Sequence, residues 1–523
     1  MFDTAELGRK VSKEEYAEKA PPLRQELLET QFQLSKEPFP VIVVFGGVDG
    51  AGKSESVNLL NGWLDPRWLV TRAYGQPTEE MQQRPHFWRY WRDLPPNGRI
   101  GFFLSAWYSE PILNHVYGDS SVSEFDESLD QILSFEKALA DDHALIVKFW
   151  MHLGKEAQRE RLQQLEEDPL TRWRVKEQDW QNWERYDDFI SSAERAIMKT
   201  SRGRTPWHII EGADERYRTL SVAGTLLERI QRHVEATKIH NEVISNSQTK
   251  HNEMQPADEN IDPVVEVSYN PTPGVTILNN LDMSKSLDKS TYSPRREELQ
   301  GRLNHLARQA QEKGISTVLV FEGWDAAGKG GAIRRIVQGL DARQSQVIPI
   351  MAPSEEELSH HYLWRFWRHL PLAGRVTIFD RSWYGRVLVE RVEGFAAEEE
   401  WMRAYAEIND FEEQLISNDT VVCKFWLHIT REEQLERFEL REKRAHKRWK
   451  LTDEDWRNRE KWDLYDTAVN EMIERTSTHR SRWTLVEAND KRFARIKVLE
   501  TICDSLESQL ALHEGAEQRR EKD

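Results

Sequence analysis

The sequence predicts an α/β protein of two tandem domains, each a parallel sheet flanked by helices. Three observations carry that expectation. The chain repeats itself at a fixed interval, apolar runs alternate with helical patterns in each copy, and each copy contains a glycine-rich turn between such a run and a helix.

The repeat comes first. Shifting the sequence by 276 positions, the interval from Gly47 to Gly323, also brings Asp49 onto Asp325, Lys53 onto Lys329 and Trp107 onto Trp383. Without a gap, the same shift places Lys148 to His152 (KFWMH) on Lys424 to His428 (KFWLH), and Trp207 on Trp483. One register held over that length means duplicated domains, far too long to be solenoid repeats. The 523 residues exceed one ordinary core and fit two. Residues 240–277, rich in Asn, Ser, Pro and acidic groups, read as a linker between domains at 1–239 and 278–515.

Within the second copy, Leu299, Leu303 and Leu306 lie on one helical face, and TVLVF that follows suits a strand buried on both sides. RVTIFD, TVVCKFWLHI and WTLVEA read as further buried strands. Ligands of such sheets bind at the carboxyl ends of the strands. Trp364, Trp367 and Trp383 are expected to be packing aromatics, and the histidines His152, His360, His361 and His428 lack companions at metal-ligand spacing.

Composition excludes several classes. A hydrophobic fraction of 38% with 20 Trp and 19 Phe builds cores, which argues against wholesale disorder. Two cysteines, Cys423 and Cys503, make no disulfide framework, and no apolar run reaches membrane-spanning length, so a cytoplasmic address is expected. A net charge of −17 disfavours nucleic acid as a partner, so an anionic substrate requires a local basic patch.

Each copy carries G-x-x-x-x-G-K after its first buried strand. There, backbone N–H groups and a helix N-terminus converge on phosphate oxygens while the Lys adds a point charge. The first loop, FGGVDGAGKSES, has Ser54 after its Lys, the hydroxyl that commonly holds a metal ion; the second, FEGWDAAGKGG, has Gly330. Gly323, Ala327, Gly328, Lys329 and Gly330 are the candidate phosphate cradle. Phosphoryl transfer also needs carboxylates for Mg²⁺. In the second copy Asp380 ends a strand and opens DRSWYGR, so Asp325 and Asp380 together can form the metal site without a hydroxyl from position 330. In the first copy Leu104, Ser105 and Glu110 stand where the second has Asp380, Arg381 and Arg386. Losing one carboxylate and two guanidinium groups removes both metal binding and charge stabilisation, so the intact-looking motif is expected in the inactive half. The segment from Arg431 to Lys450 has eight Lys or Arg against five Glu, whereas the aligned first-copy segment has five of each sign. A charged helix is by default a solvated face, but beside a phosphate loop it can act as a lid.

GWDAAGKGG, WRFWRHLPLAGRVTIFDRSWYGR and KFWLHITREEQLERF together make the second copy resemble the polyphosphate kinase 2 family, over nearly all of residues 278–510; the tandem form resembles its two-domain subgroup. The resemblance implies a P-loop kinase-like fold with a helical lid, Mg²⁺ as cofactor, and transfer of a phosphoryl group from inorganic polyphosphate to AMP. It assigns Asp325, Lys329, Asp380, Arg381 and Arg386 to catalysis, while Arg437, Arg441 and Arg444 are candidates for gripping the polymer. ADP or GDP as acceptor, an ATP-dependent nucleoside monophosphate kinase, and a non-enzymatic polymer-binding scaffold are the alternatives. The sequence leaves the oligomeric state open, a homo-oligomer included.

Overall fold

The structure, a computed structural model of the chain, describes residues 1–253, 276–443 and 453–520. The chain divides into two compact units, one built chiefly from each half of the sequence. Each contains a five-stranded, wholly parallel sheet. The first comprises β1 (Val41–Gly47), β2 (Leu69–Ala73), β3 (Ile100–Leu104), β4 (Leu145–His152) and β5 (Trp207–Glu211), ordered β2-β3-β1-β4-β5. The second comprises β6 (Ser316–Gly323), β7 (Ser345–Pro349), β8 (Val376–Asp380), β9 (Thr420–His428) and β10 (Trp483–Glu487), in the matching order β7-β8-β6-β9-β10.

The central strands are those with continuous apolar runs. Val318, Leu319, Val320 and Phe321 of β6 are fully buried, as are Val41 to Phe45 of β1, because helices cover both faces of a parallel sheet. Leu299, Leu303 and Leu306 are buried on the helix Lys289–Glu312, which packs against the last helix of its unit. The edge strands β2 and β7 were not among the expected strands. Their sequences, LVTRA and SQVIP, are half exposed and carry no continuous apolar run. The helix Glu215–Glu253 continues through the first residues of the segment read as linker; after Gly224 the sequence has no further Gly or Pro before Pro256.

A buried polar network ties each sheet to the turn that follows its third strand. Lys424 of β9 is fully buried; its Nζ donates to Glu412 Oε2 (2.8 Å), the Tyr384 hydroxyl (3.0 Å) and the Thr476 carbonyl (2.7 Å). Glu412 Oε1 in turn accepts from Trp383 Nε1 (3.1 Å) and from the Tyr384 hydroxyl (2.7 Å). Lys148, Glu136, Tyr108, Trp107 and Thr200 repeat the arrangement in the first unit. Every donor of the buried ammonium has an acceptor, which is the condition for tolerating a charge there. Trp383 and Tyr384 of the DRSWYGR motif are therefore anchors that fix the turn carrying Asp380 and Arg381. Trp364 and Trp367 are likewise buried in packing.

Candidate active site

The second phosphate loop leaves β6 at Gly323, where φ is 146° and a Cβ would lie 2.5 Å from the Leu427 carbonyl oxygen of β9, so only glycine fits. Ala326 (φ 64°) and Gly328 (φ 114°) turn the chain into the helix Lys329–Gly339. Lys329 Nζ folds back onto the Gly323 carbonyl at 2.6 Å, which closes the loop.

β8 lies beside β6 with Asp380 in register with Phe321, so the strand-end carboxylate comes up next to the loop. The next residue, Arg381, sits at φ 67°, a left-handed conformation that costs a non-glycine residue energy and that the anchored turn enforces. Its Nη2 reaches Asp325 Oδ1 at 3.4 Å. Asp325 is held from three sides: Asn458 Nδ2 donates to its other carboxylate oxygen (3.0 Å), and Gln434 Nε2 donates to its backbone carbonyl (3.2 Å). Behind the loop, buried Glu322 accepts from Ser382 Oγ (2.8 Å), and burial pushes its carboxyl pKa up. Buried His428 accepts at Nδ1 from the indoles of Trp324 (3.2 Å) and Trp426 (3.4 Å); burial lowers its pKa to about 4, which keeps it neutral.

Two cavities meet at this loop. The larger, about 690 Å³, is lined by Asp325, Ala327, Gly328, Lys329, Gly330, Asp380 and Arg381, and by a ring of further cations, Arg334, Arg335, Arg441 and Arg495. Among the described residues its six cations face three carboxylates, those of Asp325, Asp380 and Asp455. The smaller, about 80 Å³, shares Trp324, Asp325, Lys329 and Arg381 with the larger and is otherwise mostly apolar, with Leu388, Val389, Trp426 and Tyr465 on its walls.

The structure thus brings together Gly323, Asp325, Ala327, Gly328, Lys329, Gly330, Asp380, Arg381 and Arg441. It does not bring Arg437 to the cavity. That side chain is 4% exposed, and all five of its N–H groups are used: Nε on Glu433 (2.5 Å), Nη1 on the carbonyls of Ala326 (2.9 Å) and Ala327 (3.0 Å), and Nη2 on those of Ala488 (2.7 Å) and Asn489 (2.8 Å). A guanidinium with no proton left over braces the loop from behind and has none to offer a phosphate. Arg386 also lines neither cavity; it pairs with Glu390 (3.1 Å) over the ring of Tyr362. Arg444 lies outside the described residues. Sequence reasoning missed Arg334, Arg335, Arg495, Asn458 and Glu322.

The first unit keeps the loop scaffold but not the charged residues of the second unit's strand end. Lys53 Nζ donates to the Gly47 carbonyl (2.6 Å) and Asn182 to Asp49 (2.9 Å), as their counterparts do. Leu104 and Ser105, however, occupy the strand end, and Glu110 is taken up by buried Arg89 at 2.6 Å.

Two parallel sheets, each delivering a glycine-rich phosphate loop to the carboxyl ends of its strands, define a tandem pair of P-loop kinase-like domains. Residues 10–238 and 286–514 each match the family model described as polyphosphate kinase 2, and the chain belongs to that family. It is 48% identical over 509 residues to a polyphosphate:AMP phosphotransferase of Pseudomonas aeruginosa, covering 97% of this chain and 99% of that one. Against a polyphosphate:AMP phosphotransferase of Acinetobacter johnsonii it is 35% identical over 494 residues, 93% of this chain and 96% of the relative. A crystal structure described as polyphosphate kinase 2 from Pseudomonas aeruginosa superposes with a TM-score of 0.84 at 46% identity, covering 97% of this chain and 99% of that one.

Proposed function

We propose that the chain is a polyphosphate:AMP phosphotransferase whose second unit moves the terminal phosphoryl group of inorganic polyphosphate onto AMP, giving ADP. The observation that carries this reading is the meeting of two unlike cavities at Asp325, Lys329 and Arg381. The large one, walled by six cations, suits a polymer with about one charge per phosphate; the small one, largely apolar, suits part of a nucleotide.

A phosphate oxygen of AMP, already ionised at neutral pH, attacks the terminal phosphorus in line. The bond to the bridging oxygen breaks, and the polymer leaves one unit shorter with that bond's electron pair. Lys329 and Arg381 neutralise charge spreading over the equatorial oxygens, and the bound geometry supplies much of the acceleration. No covalent nucleophile is required. Arg334, Arg335, Arg441 and Arg495 hold the polymer. Arg437 is a positioning residue that acts through the loop, and Arg386, paired with Glu390, positions the turn after β8.

Asp325 and Asp380 would hold Mg²⁺. Their donor set fits it: hard carboxylate oxygens face the cationic cavity, and among the described residues no cluster of three or more His, Cys, Asp or Glu forms an all-protein cage. A divalent cation held by these two carboxylates would supply positive charge that stabilises the phosphoryl group in transfer. A cytoplasmic site of action belongs to the same reading; no helix among the described residues is long and apolar enough to cross a membrane.

An ATP-dependent nucleotide kinase would need an adenine seat in the donor cavity. Among the described residues its one aromatic lining residue, Trp324, has a face stacked on Trp462 at 3.7 Å. The test is ADP formation from AMP and Mg²⁺ with long-chain polyphosphate as sole donor, beside the same reaction with ATP. Turnover with polyphosphate and little with ATP is expected; preference for ATP refutes the donor assignment.

A further inference from the structure

The first loop has the more complete phosphate-binding motif, with Ser54 after Lys53, yet its mouth is filled by the protein's own charges. Arg218, at the start of the helix Glu215–Glu253, is 4% exposed and lies against Gly52 so closely that a Cβ there would stand 2.5 Å from its Nε. Its Nη1 donates to the Gly212 carbonyl (2.7 Å) and its Nη2 to Glu55 (2.6 Å), while its buried Nε has no acceptor among the described residues. Glu55, in the first turn of the helix Lys53–Trp63, also meets Arg161 at 2.9 Å on the same oxygen that lies 3.5 Å from Arg174. One carboxylate is gripped by three guanidinium groups at the end of a phosphate loop. That is the recognition pattern of a bound phosphate, with the anion supplied from within the chain.

The second unit differs at each of these points. Gly331 takes the place of Glu55, and a Cβ built on Gly328, the counterpart of Gly52, meets nothing within 4 Å. Arg437, the counterpart of Arg161, is drawn back onto the loop carbonyls, so the space above the loop stays open to an external anion.

We infer that Glu55 determines which of the two loops takes polyphosphate: its carboxylate occupies, among Arg161, Arg174 and Arg218, the place that a phosphate of the polymer would fill, and confines the polymer to the second unit. Without that carboxylate three arginines face a glycine-rich loop with no anion between them, and the first unit becomes a second oligophosphate site. The inference rests on the reading that the cationic cavity of the second unit is the polymer's.

The test is calorimetric titration of the full chain with inorganic tripolyphosphate, comparing the unaltered protein, Glu55→Gly, Lys329→Ala and the double variant. One equivalent bound by the unaltered chain, two by Glu55→Gly, strongly weakened binding by Lys329→Ala and one equivalent restored in the double variant are expected. Glu55→Gln, which keeps the helix and the shape of the side chain, carries the same expectation of a second, weaker equivalent. If neither Glu55 variant binds more than its parent, or if the unaltered chain already binds two equivalents and Arg218→Ala removes one, the inference is overturned. Lys329→Ala binding as tightly as the unaltered chain would overturn the assignment of the polymer to the second loop instead, whatever the Glu55 variants do.

Discussion

Arg437 separates gripping the substrate from bracing the loop. Replacing it by Met keeps much of its length and removes all five N–H groups, leaving the carbonyls of Ala326, Ala327, Ala488 and Asn489 without this donor. At roughly 1 kcal/mol for each hydrogen bond to a group left behind in a buried place, the four carbonyls together cost about 4 kcal/mol. In a domain of this size that corresponds to roughly 8 to 16 °C in the unfolding midpoint. Arg437→Lys keeps the charge but, with three donors on one nitrogen, cannot span both carbonyl pairs, and about half the loss is expected. The assay follows thermal unfolding by tryptophan fluorescence alongside the KM for polyphosphate. A variant that unfolds at the original temperature while its KM for the polymer rises about tenfold or more would show that the guanidinium contacts phosphate, and the bracing role would be wrong.

Asp380→Asn, nearly isosteric at the end of β8, should lower kcat by on the order of 10²-fold or more with an unchanged unfolding midpoint, because it removes a metal oxygen and no packing; turnover near the original level would remove Asp380 from the site. Lys424→Met leaves Glu412 as an unpaired buried carboxylate and should cost about 3–5 kcal/mol, part of which Glu412→Gln in the same chain recovers; an additive double variant would contradict the coupling. His428 binds its proton in the unfolded chain near pH 6.5 but in the fold only at about 4. Between those values the unfolded state holds more protons, so stability is complete above pH 6.5 and falls on acidification, by roughly 3 kcal/mol once pH is below both. His428→Asn should flatten that part of the profile, as read by urea unfolding at pH 7 and pH 4.5, and an unchanged slope would refute it.

The two halves of the sequence served as each other's control, and that is why so much of the site was legible. Asp380 and Arg381 stood out because Leu104 and Ser105 lack their charges. The same comparison applied to the loop helix would have found Arg334, Arg335 and Arg495, which face Asn58, Leu59 and Thr219 in the first copy. Asn458 was hidden for the opposite reason: Asn182 matches it, and both do the same work on the loop aspartate. β2 and β7 escaped because an edge strand with one open side needs no continuous apolar run. Arg437 was misread since a basic helix near a phosphate loop gives no sign, in sequence, of which arginine turns inward. Burial separates Arg437, with its protons all used, from Arg441 at the cavity wall.

The central claim is that the second loop performs the transfer and the first does not. It is tested most directly by ADP formation from AMP and polyphosphate in two matched variants, Lys53→Ala and Lys329→Ala. Loss of turnover by about 10³-fold in Lys329→Ala, with Lys53→Ala within about twofold of the unaltered chain, is the predicted result. Comparable losses in both variants, or the larger loss in Lys53→Ala, would contradict the division of labour.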